Sequence, residues 1–351
     1  MASLTGEEGA GLRERLRALV AEPLGEPATL LREARLILGE EHPTGDDIAW
    51  AYDNASTAAP RRPREALVWA RIAQEACRTR IARLGRLTGR RELKDLRRWL
   101  ASARVFEGRL LVGMDSPVAA LTVLEEVLAG GEEYLVDPAM RTRAEFLLVR
   151  ARSALGDPLA ADRLGSALAA SLAAERNYSL AAETLAVVAG AHHRVHEEVR
   201  AAELLADAAG YAVRSGDRRQ VGRVALATAQ VAAARGDHAL AASQVDLARS
   251  SAAGSGDPSQ LGQVEETAAR LLLAEGRLDD AARVAERAAA QLELAGEETM
   301  SLRAQLLRAQ ILRLGGDLGA SRTLLLSIAP AVAASSSPDL VAALEAERAL
   351  S

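Results

Sequence analysis

The sequence predicts an all-α fold, an α-solenoid of antiparallel helix hairpins, on three observations. The first is composition: alanine, leucine and arginine dominate, aromatic residues make up only 3% of the chain, and β-branched runs are nearly absent. That mixture favours helix throughout. The second is a repeat. Gly156-Asp157, Gly236-Asp237, Gly276-Arg277 and Gly316-Asp317 fall on one register of 40 residues, with Ser116 and His196 in the two remaining slots. Half a period out of phase run Gly216-Asp217, Gly256-Asp257 and Gly296-Glu297, completed by Arg176-Asn177. Each unit therefore reads as two helices and two turns, and stacked units complete one another's cores. The third is capping. Asp137-Pro138, Asp157-Pro158, Asp257-Pro258, Ser116-Pro117 and Ser337-Pro338 each place an N-cap acceptor before a proline at the first helical position.

The elements follow in order. "LRERLRALV" and "ATLLREARLILGE" read as two helices split by Pro23 and Pro27. Residues 46–84 read as a divergent hairpin with a long second helix. Trp50, Tyr52, Trp69, Trp99 and Phe106 concentrate the scarce aromatics toward the N-terminal end of the chain. They pack an N-terminal cap or form a partner-binding patch. Between the turns, apolar residues keep helical spacing, as in Leu306, Leu307, Ile311 and Leu314. The last segment, "SSSPDLVAALEAERALS", reads as a helix covering the final hairpin. The expected division is a divergent helical N-terminal cap and hairpin (1–93), an array of 40-residue units (94–333) and a C-terminal capping helix (334–351).

Composition also bounds function. A net charge of −5 gives no general attraction to polyanions, so nucleic-acid binding would need a local basic surface. Lys94 is the only lysine, so the cations are forked guanidinium donors suited to carboxylate or phosphate. The single cysteine, Cys77, excludes an internal disulfide framework, suits a reducing cytoplasm, and reads as a buried small side chain. Early acidic residues without an apolar run predict no signal peptide, and no stretch approaches membrane-spanning length.

"LAEGRLDDAARVAERAA" (273–289) resembles the tetratricopeptide repeats: the end of a first helix, a Gly-containing turn, and a second helix with small residues at Ala281 and Ala288. The same small positions recur at Ala241 and Ala248 and at Ala201 and Ala208, and a first-helix site is filled by Ala189, Ala229, Ala269 and Ala309. Small residues there let helix axes approach closely. The resemblance covers residues 94–333 well and 44–85 loosely. It implies a right-handed, TPR-like superhelix. The period is longer than the family's usual 34, and most aromatic positions are aliphatic or alanine. The longer unit is most similar to the helical-repeat arms of bacterial signal-transducing regulators with large ATP-binding cores. Neither the phosphate loop of those cores nor a helix-turn-helix is evident.

Few residues suggest chemistry. "HHRVH" spaces His192 and His196 by one helical turn, but the register puts a turn near His196 and no third ligand is specified. Arg235-Gly236-Asp237, an adhesion tripeptide in other settings, falls in an intra-repeat turn where glycine and a capping aspartate are expected. Asp46-Asp47, Glu132-Glu133 and Glu297-Glu298 fall at helix starts or turns, where acidic groups favour the macrodipole. No nucleophile elbow, dinucleotide fingerprint or paired-cysteine motif appears. The expectation is a protein with no enzymatic activity, cofactor or metal.

The resemblance implies that first helices line a concave groove. Its register selects Arg143, Phe146 and Arg150, then Glu183, His193 and Arg194, then Arg223, Leu226 and Gln230. Gln263, Glu266 and Arg270 follow, then Arg303, Leu306, Gln310 and Arg313. Seven arginines face two glutamates, a local inversion of the chain's charge that would suit an acidic peptide or a terminal carboxylate. The expected function is a cytoplasmic scaffold binding protein or acidic peptide, without direct nucleic-acid contact or membrane insertion. The alternatives are a signalling sensor that takes a small effector or peptide to control a transcriptional regulator, and an oligomerisation module self-associating through the N-terminal cap.

Overall fold

A computed structural model describes residues 5–21, 27–60, 62–84, 90–130, 134, 136–335 and 337–350. Pro23 and the Glu132-Glu133 pair lie outside the described residues. Within them the chain forms seventeen α-helices and no strand. Contacts divide it into two compact units, residues 1–168 and 169–351.

The first unit holds α1 (Thr5–Ala21), α2 (Pro27–Glu40), α3 (Gly45–Ala58), α4 (Pro63–Leu84), α5 (Arg90–Gly113), α6 (Pro117–Ala129), α7 (Pro138–Ala154) and the start of α8 (Pro158–Ala174). Helical periodicity buries one stripe of each, and Leu16, Leu38, Ile48, Ile72, Leu100 and Leu124 join one continuous core. The aromatics pack into it. Trp50 meets Trp69 edge-on at 5.1 Å, and Tyr52 lies 5.5 Å from Trp99 and 5.3 Å from Phe106. Arg13 and Arg17 stack over Trp50 from α1. Thr44 and Asp47 form a reciprocal capping box at the start of α3, and Asp47 also takes Arg13 at 2.7 Å. Cys77 is buried on α4, and burial pushes its thiol up to about 12. It is a packing residue, as expected.

A charged cluster lies inside this core. Glu107 on α5, 1% exposed, accepts Arg71 Nε at 2.7 Å, Arg104 Nη1 at 2.8 Å and Gln74 Nε2 at 2.9 Å. Burial works against its ionisation, but those donors and charges prevail and hold its carboxyl below the ordinary value.

The second unit continues with α9 (Tyr178–Arg194), α10 (Glu198–Ser215), α11 (Arg218–Ala234), α12 (His238–Ser255), α13 (Pro258–Ala274), α14 (Leu278–Leu294), α15 (Glu298–Leu314), α16 (Leu318–Ala334) and α17 (Pro338–Leu350). Left-handed backbone recurs at 156, 176, 196, 216, 236, 256, 276, 296 and 316, a step of 20 residues that matches both sequence ladders. In most of these turns the next amide closes back on the preceding helix, as from Asp237 to the Ala232 carbonyl at 2.9 Å. The same Asp237 then caps α12 by accepting the Leu240 N–H at 3.1 Å. With Gly236 at φ 76°, Arg235-Gly236-Asp237 is a turn and a cap. Asp137, Asp157 and Asp257 cap their helices as expected. The alanines at 189, 229, 269 and 309, at 201, 241 and 281, and at 208, 248 and 288 are all fully buried.

The ladder fails at one end. The left-handed residue there is Asp115, φ 53°, and not Ser116. Ser116 occupies the N-cap of α6 without a side-chain bond to the helix; its hydroxyl donates to the Met114 carbonyl at 3.5 Å. The Ser116 amide closes on Leu111 at 2.9 Å, so this turn is shifted one residue early relative to those from 156 onward.

Candidate functional site

The residues selected by register lie on α7 in the first unit and on α9, α11, α13 and α15 in the second. In the second unit several of them touch the next first helix, and one pair, Glu183 and Arg223, joins two selected residues. Glu183 on α9 accepts Gln220 Nε2 at 3.3 Å and pairs with Arg223 of α11 at 3.6 Å. Gln230 of α11 donates to Thr267 of α13 at 3.4 Å, and Gln263 of α13 reaches Met300 of α15 at 3.9 Å. Close passage of α11 past α13 depends on Gly222, where a methyl group would fall within 3 Å of Gln260, and that of α13 past α14 on Gly262, where it would fall within 3 Å of Leu292.

The arginines divide by partner. Arg223 pairs with Glu183, and Arg270 with the buried Glu266 one turn earlier at 2.7 Å. Arg313 grips Glu347 of α17 with two nitrogens, at 2.9 and 3.4 Å, and both side chains are mostly covered. Arg303 forms no ion pair among the described residues. With Arg270, Leu306 and Gln310 it lines a cavity of about 590 Å³, roofed by Leu340, Ala343 and Glu347 of α17. Leu226 and Leu306 are buried and serve packing.

The histidines sit at the α9–α10 turn. His193 engages Glu198 through Nδ1 at 2.8 Å, and Arg194 is exposed at the end of α9. His192 is 2% exposed, with Nδ1 at 2.5 Å from Glu197, whereas His196 is exposed in left-handed backbone at φ 63°. The turn thus separates the two histidines that helical spacing alone would have placed together.

On α7, Arg143 and Arg150 are exposed, Phe146 is half-buried, and neither arginine has an ion pair among the described residues. Arg143 lines a second cavity, of about 520 Å³, with Tyr52 and Ser56 of α3 and Ser102, Phe106 and Arg109 of α5. Sequence reasoning missed Arg109. The signal was present: allowing for the one-residue shift at Asp115, Arg109 takes the slot of Arg150 and Arg270. It also missed Glu347, which lies beyond the last repeat and has no counterpart in the register.

Neither a sequence-family profile nor a curated protein sequence matches the chain. Solved structures do match. A Rap protein complexed with competence and sporulation factor aligns at TM-score 0.55 and 14% identity, over 98% of this chain and 92% of that one. The apo form of RapI aligns at TM-score 0.52 and 10% identity, over 85% and 79%. The fold is that of the tetratricopeptide-like helical repeats. A signal transduction ATPase with numerous domains (STAND) and a tetratricopeptide repeat sensor, from Pyrococcus horikoshii, aligns at TM-score 0.56 and 14% identity over 99% of this chain. This tetratricopeptide-like chain spans half the length of that STAND protein. Among the described residues, no helix is long and apolar enough to cross a membrane.

Proposed function

We propose that the chain is a non-enzymatic scaffold that binds protein or peptide, taking acidic segments on the arginine-bearing faces of its first helices. The observation that carries this reading is internal. Arg313, one of the selected arginines, already holds a carboxylate from a separate helix in a two-nitrogen, largely covered pair with Glu347. The geometry suits acid recognition because a forked guanidinium fixes both distance and direction. Helices held by repeat packing supply such donors without ordering them on binding. Residues 94–333 then form the working array, 1–93 and 334–351 its caps, in the cytoplasm, without direct nucleic-acid contact and with self-association open to the N-terminal cap.

The test is fluorescence anisotropy with a labelled twelve-residue Glu-rich peptide and its Gln-for-Glu counterpart. Wild type should bind the acidic peptide at least about tenfold more tightly, Arg303→Gln should weaken it, and added salt should weaken it further. Equal affinity for both peptides would remove the proposal.

A second reading is a signalling sensor that takes a small effector or peptide and controls a transcriptional regulator. It draws support from the shared fold with a STAND protein bearing a repeat sensor and a Rap protein complexed with a factor. A ligand that raises thermal stability and alters capture of a regulator favours this reading; stabilisation by acidic partner segments alone favours the first.

A further inference from the structure

We propose that the cavity lined by α3, α5 and α7 is a binding site for a small organic carboxylate with an aromatic or flat apolar body, the carboxylate held between Arg109 and Arg143. The site deepens the acidic-segment reading and rests on it: by register α5 and α7 are first helices and Arg109 stands in the slot of Arg150, so the cavity adds an apolar wall to the same arginine-bearing faces. Its volume of about 520 Å³ lies within the usual span for small-molecule sites, roughly 300–1,000 Å³.

The lining divides by chemistry. Tyr52, Val105, Phe106 and Met140 supply an apolar wall, and Ser56 and Ser102 add hydroxyls. The Arg109 guanidinium carbon lies over the Phe106 ring at 4.5 Å, a contact that holds the charge against the aromatic wall. Neither Arg109 nor Arg143 has an ion pair among the described residues. Asp137 also lines the cavity, but its carboxylate caps α7 by accepting the Met140 N–H at 2.8 Å. Burial raises the Tyr52 hydroxyl above its ordinary pKa, against the pull of Arg109 and Arg143, so it remains a neutral donor.

The repeat register explains why Arg109 lacks the one-turn counter-ion that Arg270 has. Four residues before Arg270 stands Glu266, which pairs with it across one helical turn. The matching residue before Arg109 is Val105, and before Arg150 it is Phe146. An acid in one copy is an apolar side chain in the other two. The result at Arg109 is a positive field beside an aromatic wall, which an anion with a flat apolar body would complement.

The probe is N-acetyl-L-phenylalanine, titrated calorimetrically into the full chain beside N-acetyl-L-phenylalaninamide and N-acetylglycine. The acid should bind at least about tenfold more tightly than either control, and Arg109→Gln or Arg143→Gln should each weaken it by about tenfold. Arg150→Gln, outside the cavity, should leave it unchanged. No binding below about 10 mM, equal binding of acid and amide, or equal loss in all three variants would overturn the proposal. A peptide with a free C-terminal phenylalanine distinguishes sources: tighter binding than the amino acid assigns a chain terminus, and weaker binding assigns a metabolite. Both results require the same two arginines. Because the Glu-rich probe carries no aromatic body, failure here leaves the acidic-segment proposal to its own test.

Discussion

Residues 1–168 and 169–351 use one helical composition in two ways. The second unit is held by repetition: a turn every 20 residues, caps built into those turns, and alanines fully buried at equivalent positions. The first is held by particular side chains. It contains the Trp50–Trp69 and Tyr52–Trp99 contacts and a glutamate buried between two arginines. The second unit has a clamp of similar design, in which buried Glu265 takes Arg249 and Arg287 at 2.8 and 2.9 Å, but that clamp is added to the ladder. The lesson is that a repeat distributes stability over many equivalent small contacts, whereas a divergent end concentrates it in a few large ones.

The sharpest way to break that contrast is at the concentrated end. Glu107→Ala takes from Arg71 its carboxylate, leaves Arg104 with Glu126 alone and opens a void in the core, and should cost about 3 kcal/mol, seen as earlier urea unfolding of the first unit. Acid should act through the same region. The carboxyls of Asp47, Glu75 and Glu107 are each disfavoured by burial but held low by hydrogen bonds and neighbouring arginines. A lowered folded pKa contributes stability that is full above the ordinary carboxylate range, about 4, and lost as pH falls through the folded value. Amides of α3–α5 should therefore exchange hydrogen before those of α11–α15 near pH 3. In the second unit the lowered carboxyl among the described residues is Asp280, half-buried at the start of α14 and paired with solvent-facing arginines, which offers little to lose. Exchange in the opposite order would contradict the account.

Smaller changes probe the ladder. Gly262→Ala drives a methyl group to 2.5 Å from Leu292 Cγ, a buried core atom, and should cost about 1–3 kcal/mol in thermal unfolding. Gly222→Ala meets the buried amide of Gln260 and the Ser251 Cβ at 3.0 Å and displaces the Gln260 bond to the Arg219 carbonyl, so its cost should be similar. At His196 and Arg176 the turn requires left-handed backbone of a residue with a side chain. His196→Gly should therefore add about 1 kcal/mol to stability, and Gly236→Ala should remove a similar amount. No gain from His196→Gly would mean that its side chain offsets the strain.

Legibility in the sequence follows the same contrast. Period, turns and small-residue contacts could be read from residue 156 onward because each position is repeated and glycine at a left-handed site has a strong local cause. Register failed at Ser116, where α5 closes one residue early, and that slip hid Arg109. Selection of Glu183, Arg223, Gln230 and Gln263 placed them on successive first helices that touch, but one sequence does not tell which arginines pair with a carboxylate from another helix. Glu266 beside Arg270 was within reach of the one-turn rule. Glu347 beside Arg313 was not, because a helix after the last repeat can settle in several registers.

The most direct test of the functional account is affinity capture from the source cell, comparing wild type with Arg150→Glu, Arg303→Glu after both are shown to be equally helical and stable. These two arginines have no ion pair among the described residues, so their reversal leaves the known pairs of the fold intact. The account predicts a partner with acidic segments, retained by wild type and lost by the variant in a salt-dependent manner. Equal capture by both proteins would contradict it.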